Sequence, residues 1–260
     1  MAALISYLLS AVLYFVYIAV KKIKLSKAAH IVMAAGFAAH SVCIAVRGIQ
    51  AQRLPLTNQY EFATAFAWGI ALCFLIFVKK FKFDALGAFV APVIFLVIGY
   101  ASMQSREIHN LMPALQSNWL GIHVSMAIIG YGAFGVSFGV AMAFLFKDRI
   151  HGKIAETIPD EKTLDLIIYR AVALGFLFLT LCMITGAIWA NNAWGSYWSW
   201  DPKETWSLIT WIIYAVFLHL RLRKGMTGKK AALFAALGFI CVIFTYVGVN
   251  TLLSGLHSYR

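Results

Sequence analysis

The stretch Trp119–Phe146, WLGIHVSMAIIGYGAFGVSFGVAMAFLF, contains no Asp, Glu, Lys or Arg. A helix that crosses a membrane needs about 20 mostly apolar residues, so this stretch is long enough to span a bilayer. The rest of the chain has the same character, because 62% of its 260 residues are hydrophobic and only 12% are charged. Soluble domains carry about 25% charged residues. The sequence therefore predicts an integral membrane protein.

Apolar runs of similar length recur along the chain and are separated by short polar segments. We expect about eight spanning helices, at roughly 4–20, 28–46, 60–78, 85–103, 119–146, 165–188, 205–222 and 231–252. No segment between them is long enough for a soluble domain, so residues 1–260 are expected to form one all-α, polytopic transmembrane domain. Within the first stretch, Gly135 and Gly139 have the G-x-x-x-G spacing that allows helices to pack closely.

The basic residues are concentrated in alternate connections between these helices. All but five of the 22 Lys and Arg residues lie in or beside every second connection. The five exceptions are Arg47, Arg53, Arg106, Lys203 and Arg260. The positive-inside rule assigns the basic connections to the cytoplasm. Both termini and the connections at about 47–59, 104–118 and 189–204 are then expected on the outer face. This distribution explains the net charge of +12 as a topology signal and argues against a nucleic-acid partner.

The connection at about 189–204 continues into the stretch Trp194–Trp206, WGSYWSWDPKETW, and is unusually rich in Trp. Six of the eight Trp residues fall between Trp189 and Trp211. An interfacial aromatic belt would spread them over many helix ends. A dense Trp and Tyr platform instead favours stacking against something flat and apolar. A macrocycle, a quinone and a sterol all fit that description.

Part of the same stretch has a structural explanation. Asp201 is placed to cap the next helix, Pro202 takes its first position, and Glu204 follows three residues after the cap. This is a capping box with Pro where its missing N–H does no harm. The box predicts that Asp201 and Glu204 shape the connection.

The histidines favour a macrocycle that holds iron. His123 lies about one turn inside the outer end of the fifth helix, and His257 follows the last helix on the same face. Two imidazoles at the level of an aromatic platform are what axial haem ligation requires. His219 and His40 lie within spans, where ionisable residues are rare and often functional. At about 1.5 Å per residue, they are roughly 5 Å and 18 Å from the inner boundary, so they do not match as ligands of one iron.

At this point the chain resembles a known family. The segment 194–221, WGSYWSWDPKETWSLITWIIYAVFLHLR, is similar to the tryptophan-rich WWD signature of haem-handling membrane proteins, in the CcsA (ResC) form of System II cytochrome c biogenesis. Further similar segments are RLPLTNQYEF (53–62), MPALQSNWLGIHV (112–124) and GLHSY (255–259). One departure is that Gln52, Arg53 and Leu54 precede Pro55 where many relatives have Gly-His, so no role of that His carries over.

The resemblance implies a role in cytochrome c synthesis. Such proteins act with a CcsB (ResB) membrane partner, carry haem b outward and attach it to the C-x-x-C-H motif of apocytochrome c, so the chain would be a component of a cytochrome c synthase (haem lyase). A thiol-reducing pathway is a further implied partner. The expected location is the bacterial plasma membrane, with the plastid thylakoid membrane second.

The resemblance also assigns residues to sites. It places the outer haem-iron ligands at His123 and His257 and an inner ligand at His219, which shares its site with a His of the partner; His40 is then a packing or hydrogen-bonded residue. The main haem-binding candidates besides these are Trp194, Trp198, Trp200 and Asp201, and the secondary ones are His40, Tyr197, Glu204 and Trp206. Independently of the resemblance, Lys203, Arg47 and Arg53 are best explained as ordinary loop charges, with pairing to the haem propionates as the alternative.

Three other functions remain open at this stage. A System I haem handler would pass haem to a chaperone, but its relatives have fewer helices and a different run after the Asp. A b-type cytochrome subunit would need two matched pairs of His within the membrane. A solute transporter would need more polar groups at mid-membrane than this sequence provides.

Overall fold

The computed structural model describes residues 1–149 and 156–253, apart from the side chain of Ala114. Its helices are α1 (Ala2–Val20), α2 (Ile23–Ala51), α3 (Gln59–Phe81), α4 (Gly87–Ser102), α5 (Asn118–Phe146), α6 (Glu161–Trp194), α7 (Pro202–Lys224), α8 (Gly228–Ile243) and α9 (Val249–Leu252). The π-helical turn Phe244–Gly248 joins α8 to α9. Within the described ranges there is no strand, and eight helical segments are long and apolar enough to cross a membrane. The predicted all-α polytopic fold is confirmed.

Several observed helices extend beyond the predicted bounds, by the largest amounts at both ends of α2 and at the end of α6. Helix α2 begins at Ile23, before the expected position, so that Lys24 and Lys27 belong to its first turns. Helix α6 extends to Trp194 and ends where Gly195 adopts a left-handed conformation with φ 76°. Glycine takes this conformation without a steric penalty, which is why it commonly ends helices. The Trp-rich connection is therefore only 195–201, shorter than the predicted 189–204.

Helix α5 lies at the centre of the bundle and packs against α3, α4, α6 and α8. A Cβ added to Gly132 would lie 2.5 Å from the carbonyl oxygen of Gly69, so the backbones of α5 and α3 are in direct contact there. A Cβ added to Gly139 would lie 2.4 Å from Cγ2 of Val90 in α4, and one added to Gly135 would lie 3.0 Å from Cγ1 of Ile70 in α3. These contacts confirm helix packing as the role of the G-x-x-x-G pair.

Three connections, at 52–58, 103–117 and 195–201, meet at one end of the bundle, which we call the Trp-loop end. The expected placement of this end on the outer face stays a prediction. The opposite end carries the basic clusters, some of which pair with acidic residues of other helices. Arg221 of α7 pairs with Asp165 of α6, and Lys229 lies 2.6 Å from Asp148.

A buried carboxylate joins two connections at the Trp-loop end. The Glu61 side chain is fully buried and accepts hydrogen bonds from Arg47 Nε at 2.9 Å and from Arg53 Nη1 at 2.8 Å. The backbone N–H and the hydroxyl of Thr57 also donate to Glu61, at 2.9 and 3.0 Å. Arg47 in turn donates to the carbonyl of Arg106, 2.9 Å away in the 103–117 connection. This network fixes the 52–58 segment over the start of α3.

Candidate functional site

A large cavity lies at the Trp-loop end between α3, α5, α6, α7 and the π-helical turn. It has about 1170 Å³ of empty space, part of which is open to the surroundings. Its wall combines aromatic and aliphatic side chains with a few polar groups. The residues that define its character are Asn58, Phe62, His123, Tyr131, Trp189, Tyr197, Trp198, Lys203, Glu204 and Tyr246. A concave, mostly apolar site with a few convergent polar groups is typical of a ligand-binding cavity.

His123 projects from α5 into the wall of this cavity and is held by α6. Its Nδ1 lies 2.8 Å from the carbonyl oxygen of Cys182, an acceptor, so Nδ1 carries the ring proton of the neutral imidazole. Nε2 is then the ring nitrogen with the lone pair. A His that ligates a metal commonly donates its other ring N–H to a carbonyl in this way. The local geometry of His123 therefore suits ligation through Nε2.

Two Trp side chains line the cavity beside His123. The ring of Trp189 lies nearly parallel to the imidazole, with an interplanar angle of 13° and centroids 6.2 Å apart. Trp189 is 1% exposed and belongs to the last turns of α6. Trp198 follows in the 195–201 connection, and its indole N–H is buried without a hydrogen-bond partner in the described parts of the chain. An unpaired buried donor is costly, and a bound ligand would remove that cost by accepting its hydrogen bond.

The other predicted Trp residues lie around the cavity and outside its wall. Trp194 meets Trp189 edge-on with ring centroids 6.3 Å apart, and Trp200 meets Trp198 edge-on at 5.7 Å. Trp206 packs on Phe244, with centroids 4.2 Å apart. Trp200 is 69% exposed. The predicted platform of Trp194, Trp198 and Trp200 is thus divided, and in this structure only Trp198 of the three contacts the cavity.

Asp201 and Glu204 form the predicted capping box at the start of α7. The carboxylate of Asp201 accepts from Lys203 N at 2.9 Å, and that of Glu204 accepts from Asp201 N at 3.2 Å. Glu204 also accepts from Ser199 N at 2.8 Å. Trp200, which lies between Ser199 and Asp201, adopts a left-handed conformation with φ 59°. This conformation costs a non-glycine residue roughly 1–2 kcal/mol. The box therefore holds a strained turn that directs Trp198 toward the cavity and Trp200 away from it.

Lys203 is a basic residue in the wall of the cavity. The same wall includes Tyr197, Trp198 and Glu204. Arg47 and Arg53, the other cations considered for an anionic ligand, are both bonded to Glu61. Of the three, Lys203 is the one that lines the cavity, which makes it the candidate partner for ligand carboxylates.

The intramembrane histidines lie away from the cavity. His219 is exposed on the surface of α7, 12 residues beyond the cavity residue Ser207, which corresponds to about 18 Å along a helix. His40 is 1% exposed, and its Nδ1 lies 3.1 Å from the hydroxyl of Tyr7. The two residues therefore differ in both depth and environment. His257 lies outside the described residues, so its predicted position beside the cavity stays a prediction.

Several cavity residues were not identified from the sequence. Trp189 was counted among the clustered Trp residues but not assigned to the site, because it precedes the stretch Trp194–Trp206 from which the candidates were taken. Tyr131, Cys182 and Tyr246 lie in apolar runs that give no sign of which face borders a cavity. Glu61 lies within a quoted family segment, but nothing in the sequence showed its pairing with Arg47 and Arg53.

Comparisons with known proteins show the family to which the chain belongs. The family model described as cytochrome c assembly protein matches residues 56–257. The CcsA cytochrome c biogenesis protein of Chlamydomonas reinhardtii is 42% identical over 223 residues, which cover 82% of this chain and 63% of that protein. Its counterpart in Guillardia theta is 36% identical, with coverage of 84% and 81%. The CcsA protein of Prochlorococcus marinus strain MIT 9301 is 37% identical over 79% of this chain and 75% of its own length.

A solved structure shares the fold. Cytochrome c heme lyase CcmF superposes with a TM-score of 0.74 over 98% of this chain and 46% of its own length, at 16% sequence identity. The shared fold agrees with the relatives found by sequence, and the family predicted from the motifs is confirmed. The chain therefore belongs to the cytochrome c assembly protein family, with the CcsA proteins as its relatives.

Proposed function

We propose that this cytochrome c maturation protein is the haem-carrying subunit of a System II cytochrome c synthase. In this proposal it brings haem b to the outer face and positions it for attachment to the C-x-x-C-H motif of apocytochrome c. The observation that carries the proposal is the position of His123, which is held by a carbonyl through Nδ1 in the wall of an aromatic cavity.

Haem is the substrate here, and the cavity residues fit it. The cavity is partly open, and its wall is mostly apolar with a few polar groups, as is common for sites that bind flat organic ligands. Trp198 and Tyr197 offer ring surface for stacking, and the buried indole N–H of Trp198 offers a hydrogen bond. His123 supplies one axial ligand, and we assign the second to His257, which lies outside the described residues.

The chain's own contribution is positioning. Attachment adds each cysteine S–H across one haem vinyl group, so that a carbon–sulfur bond forms and the thiol hydrogen passes to the neighbouring vinyl carbon. No atom leaves, and the haem substrate carries the reacting groups. The cavity must therefore hold the macrocycle with its vinyl edge accessible to the apocytochrome thiols. The His of the C-x-x-C-H motif then replaces one of the protein's imidazoles on the iron and so releases the product.

An earlier haem site is assigned to the opposite half of the membrane. His219 is exposed on α7, where a neighbouring membrane protein has access to it. We propose that His219 and a His of a CcsB partner hold haem there before it moves outward. The buried pairing of His40 with Tyr7 suits a hydrogen-bonded role for His40. We place the complex in the bacterial plasma membrane, with the thylakoid membrane as the alternative.

The direct test of this function is product formation. The chain is co-purified with a CcsB partner, loaded with haem, reduced, and mixed with a reduced apocytochrome c that carries C-x-x-C-H. We expect haem to become covalently attached, as detected by acid-resistant haem staining and by the thioether haemochrome spectrum. Haem that only changes oxidation state would show a b-type electron carrier, and haem that passes to a chaperone without attachment would show the System I alternative.

Within this function we assign Lys203 to a haem propionate. Its side chain lies in a mostly apolar wall, where the attraction between opposite charges is less screened than in water. Arg47 and Arg53 are not among the residues that line the cavity.

The assignment of Lys203 predicts a change in ligand preference. Wild-type protein should bind haem more tightly than its neutral dimethyl ester, and Lys203→Met should bind the two about equally. Because hydrogen bonds to charged groups contribute about 1.5–3 kcal/mol, we expect haem affinity to fall roughly tenfold or more. Titrations followed at the Soret band measure both ligands. Lys224→Met, at the opposite end of α7, is the control. An unchanged preference for haem over its ester in Lys203→Met would contradict the assignment.

A further inference from the structure

We infer that Gly186 is a positioning residue for the outer haem ligand, because it provides the space in which the His123 imidazole reaches the backbone of α6. This inference rests on the proposed role of His123 as a haem ligand. It goes beyond that role by assigning to α6 the orientation and tautomer of the ligand.

Contact distances at Gly186 carry the inference. A Cβ added to Gly186 would lie 2.6 Å from Nδ1 and 2.7 Å from Cε1 of His123, and its three nearest heavy atoms would all belong to that ring. Real Cβ atoms essentially never approach another heavy atom so closely. Any residue other than glycine at this position would therefore displace the imidazole.

The three residues of α6 that border the imidazole lie on one helix face. Cys182, Gly186 and Trp189 are spaced four and three residues apart, which places them in line along a helix. The carbonyl of Cys182 lies 2.8 Å from Nδ1. Gly186 leaves room for the ring, and Trp189 lies parallel to it at an interplanar angle of 13°. Together they form a cradle that determines which nitrogen carries the proton and how the ring plane is turned.

The cradle has a consequence for haem binding. The Nδ1–H donor to a carbonyl keeps the lone pair on Nε2 and increases the electron donation of the ring to a metal. If the ring is displaced, both its direction and this hydrogen bond change. Groups that hold a ligating His in this way typically contribute about 10–100-fold to metal affinity.

The test compares Gly186→Ala with Gly99→Ala, because an added Cβ at Gly99 would have no heavy atom of the described residues within 4 Å. Both proteins are purified with the CcsB partner. For Gly186→Ala we expect haem affinity at least about tenfold lower, a shifted reduction potential, and recovery of a low-spin spectrum with added imidazole. Gly99→Ala should match the wild type in all three. A wild-type haem affinity and potential in Gly186→Ala would overturn the inference.

A second comparison separates positioning from helix packing. In a His123→Ala background the ring atoms nearest to position 186 are absent, so adding Gly186→Ala should leave the yield and thermal stability of the protein unchanged. A further loss of stability in the double variant would show that Gly186 serves packing, and would also overturn the inference. If His123→Ala itself retained full haem, the proposed function would fail instead. The two failures are thus distinguishable.

Discussion

Purified His123→Ala protein should lack the Soret band of the outer haem and should fail to mature cytochrome c. The substitution removes the Nε2 ligand and leaves the cavity wall otherwise intact, because Trp189 and Trp198 belong to other elements. Loss of the ligand itself should exceed the roughly 10–100-fold loss of affinity that follows from disturbing the groups around a ligand. Haem content per protein and the yield of holocytochrome c measure the two effects. Added imidazole should restore part of both by occupying the vacated position.

His109→Ala is a suitable control for His123→Ala. His109 lies in the 103–117 connection at the same end of the bundle, and its side chain is 72% exposed. The His109→Ala variant should retain wild-type haem content and activity. His257→Ala should behave like His123→Ala, since the two are proposed to ligate the same iron. Full haem content and activity in both ligand variants would refute the assignment of the outer site.

The sequence predicted the helices well because each is an uninterrupted apolar run that must satisfy its own backbone hydrogen bonds in the bilayer. The capping box of Asp201 and Glu204 was equally predictable, because its geometry depends only on neighbouring residues. The end of α6 was placed too early. The polar Asn191 and Asn192 resembled a connection, whereas the helix continues to the left-handed Gly195.

The candidate site was less predictable, because it depends on which helix faces meet. Trp194, Trp198 and Trp200 are equivalent in the sequence, yet the left-handed turn at Trp200 separates their directions. The contact of His123 with Cys182 joins residues 59 positions apart. Such contacts follow from the packing of α5 against α6 and leave no periodic signal. What the sequence did indicate was that His123 and the Trp-rich connection lie at the same end of the bundle.

The second large effect is expected for Glu61→Gln, which should destabilise the whole protein. The Glu61 carboxylate accepts four hydrogen bonds, two from Arg47 and Arg53 and two from Thr57. A glutamine amide has one oxygen, and its NH₂ group would face a guanidinium donor. The two arginines, whose side chains are 14% and 13% exposed, would also lose the counter-charge that they share. Breaking a buried ion pair in this way costs about 3–5 kcal/mol.

Thermal unfolding in detergent measures this loss, and Glu107→Gln is the matched control. Glu107 lies at the same end of the bundle with a side chain that is 77% exposed. The Glu107→Gln protein should therefore unfold at the wild-type temperature. Haem binding by Glu61→Gln should fall together with the folded fraction, because Thr57, Asn58 and Gln59 form part of the cavity wall. This distinguishes Glu61→Gln from His123→Ala, which should be folded and lack haem. A Glu61→Gln protein of wild-type stability would show that the two arginines find other partners, and the network would then not be what holds the 52–58 segment over the cavity.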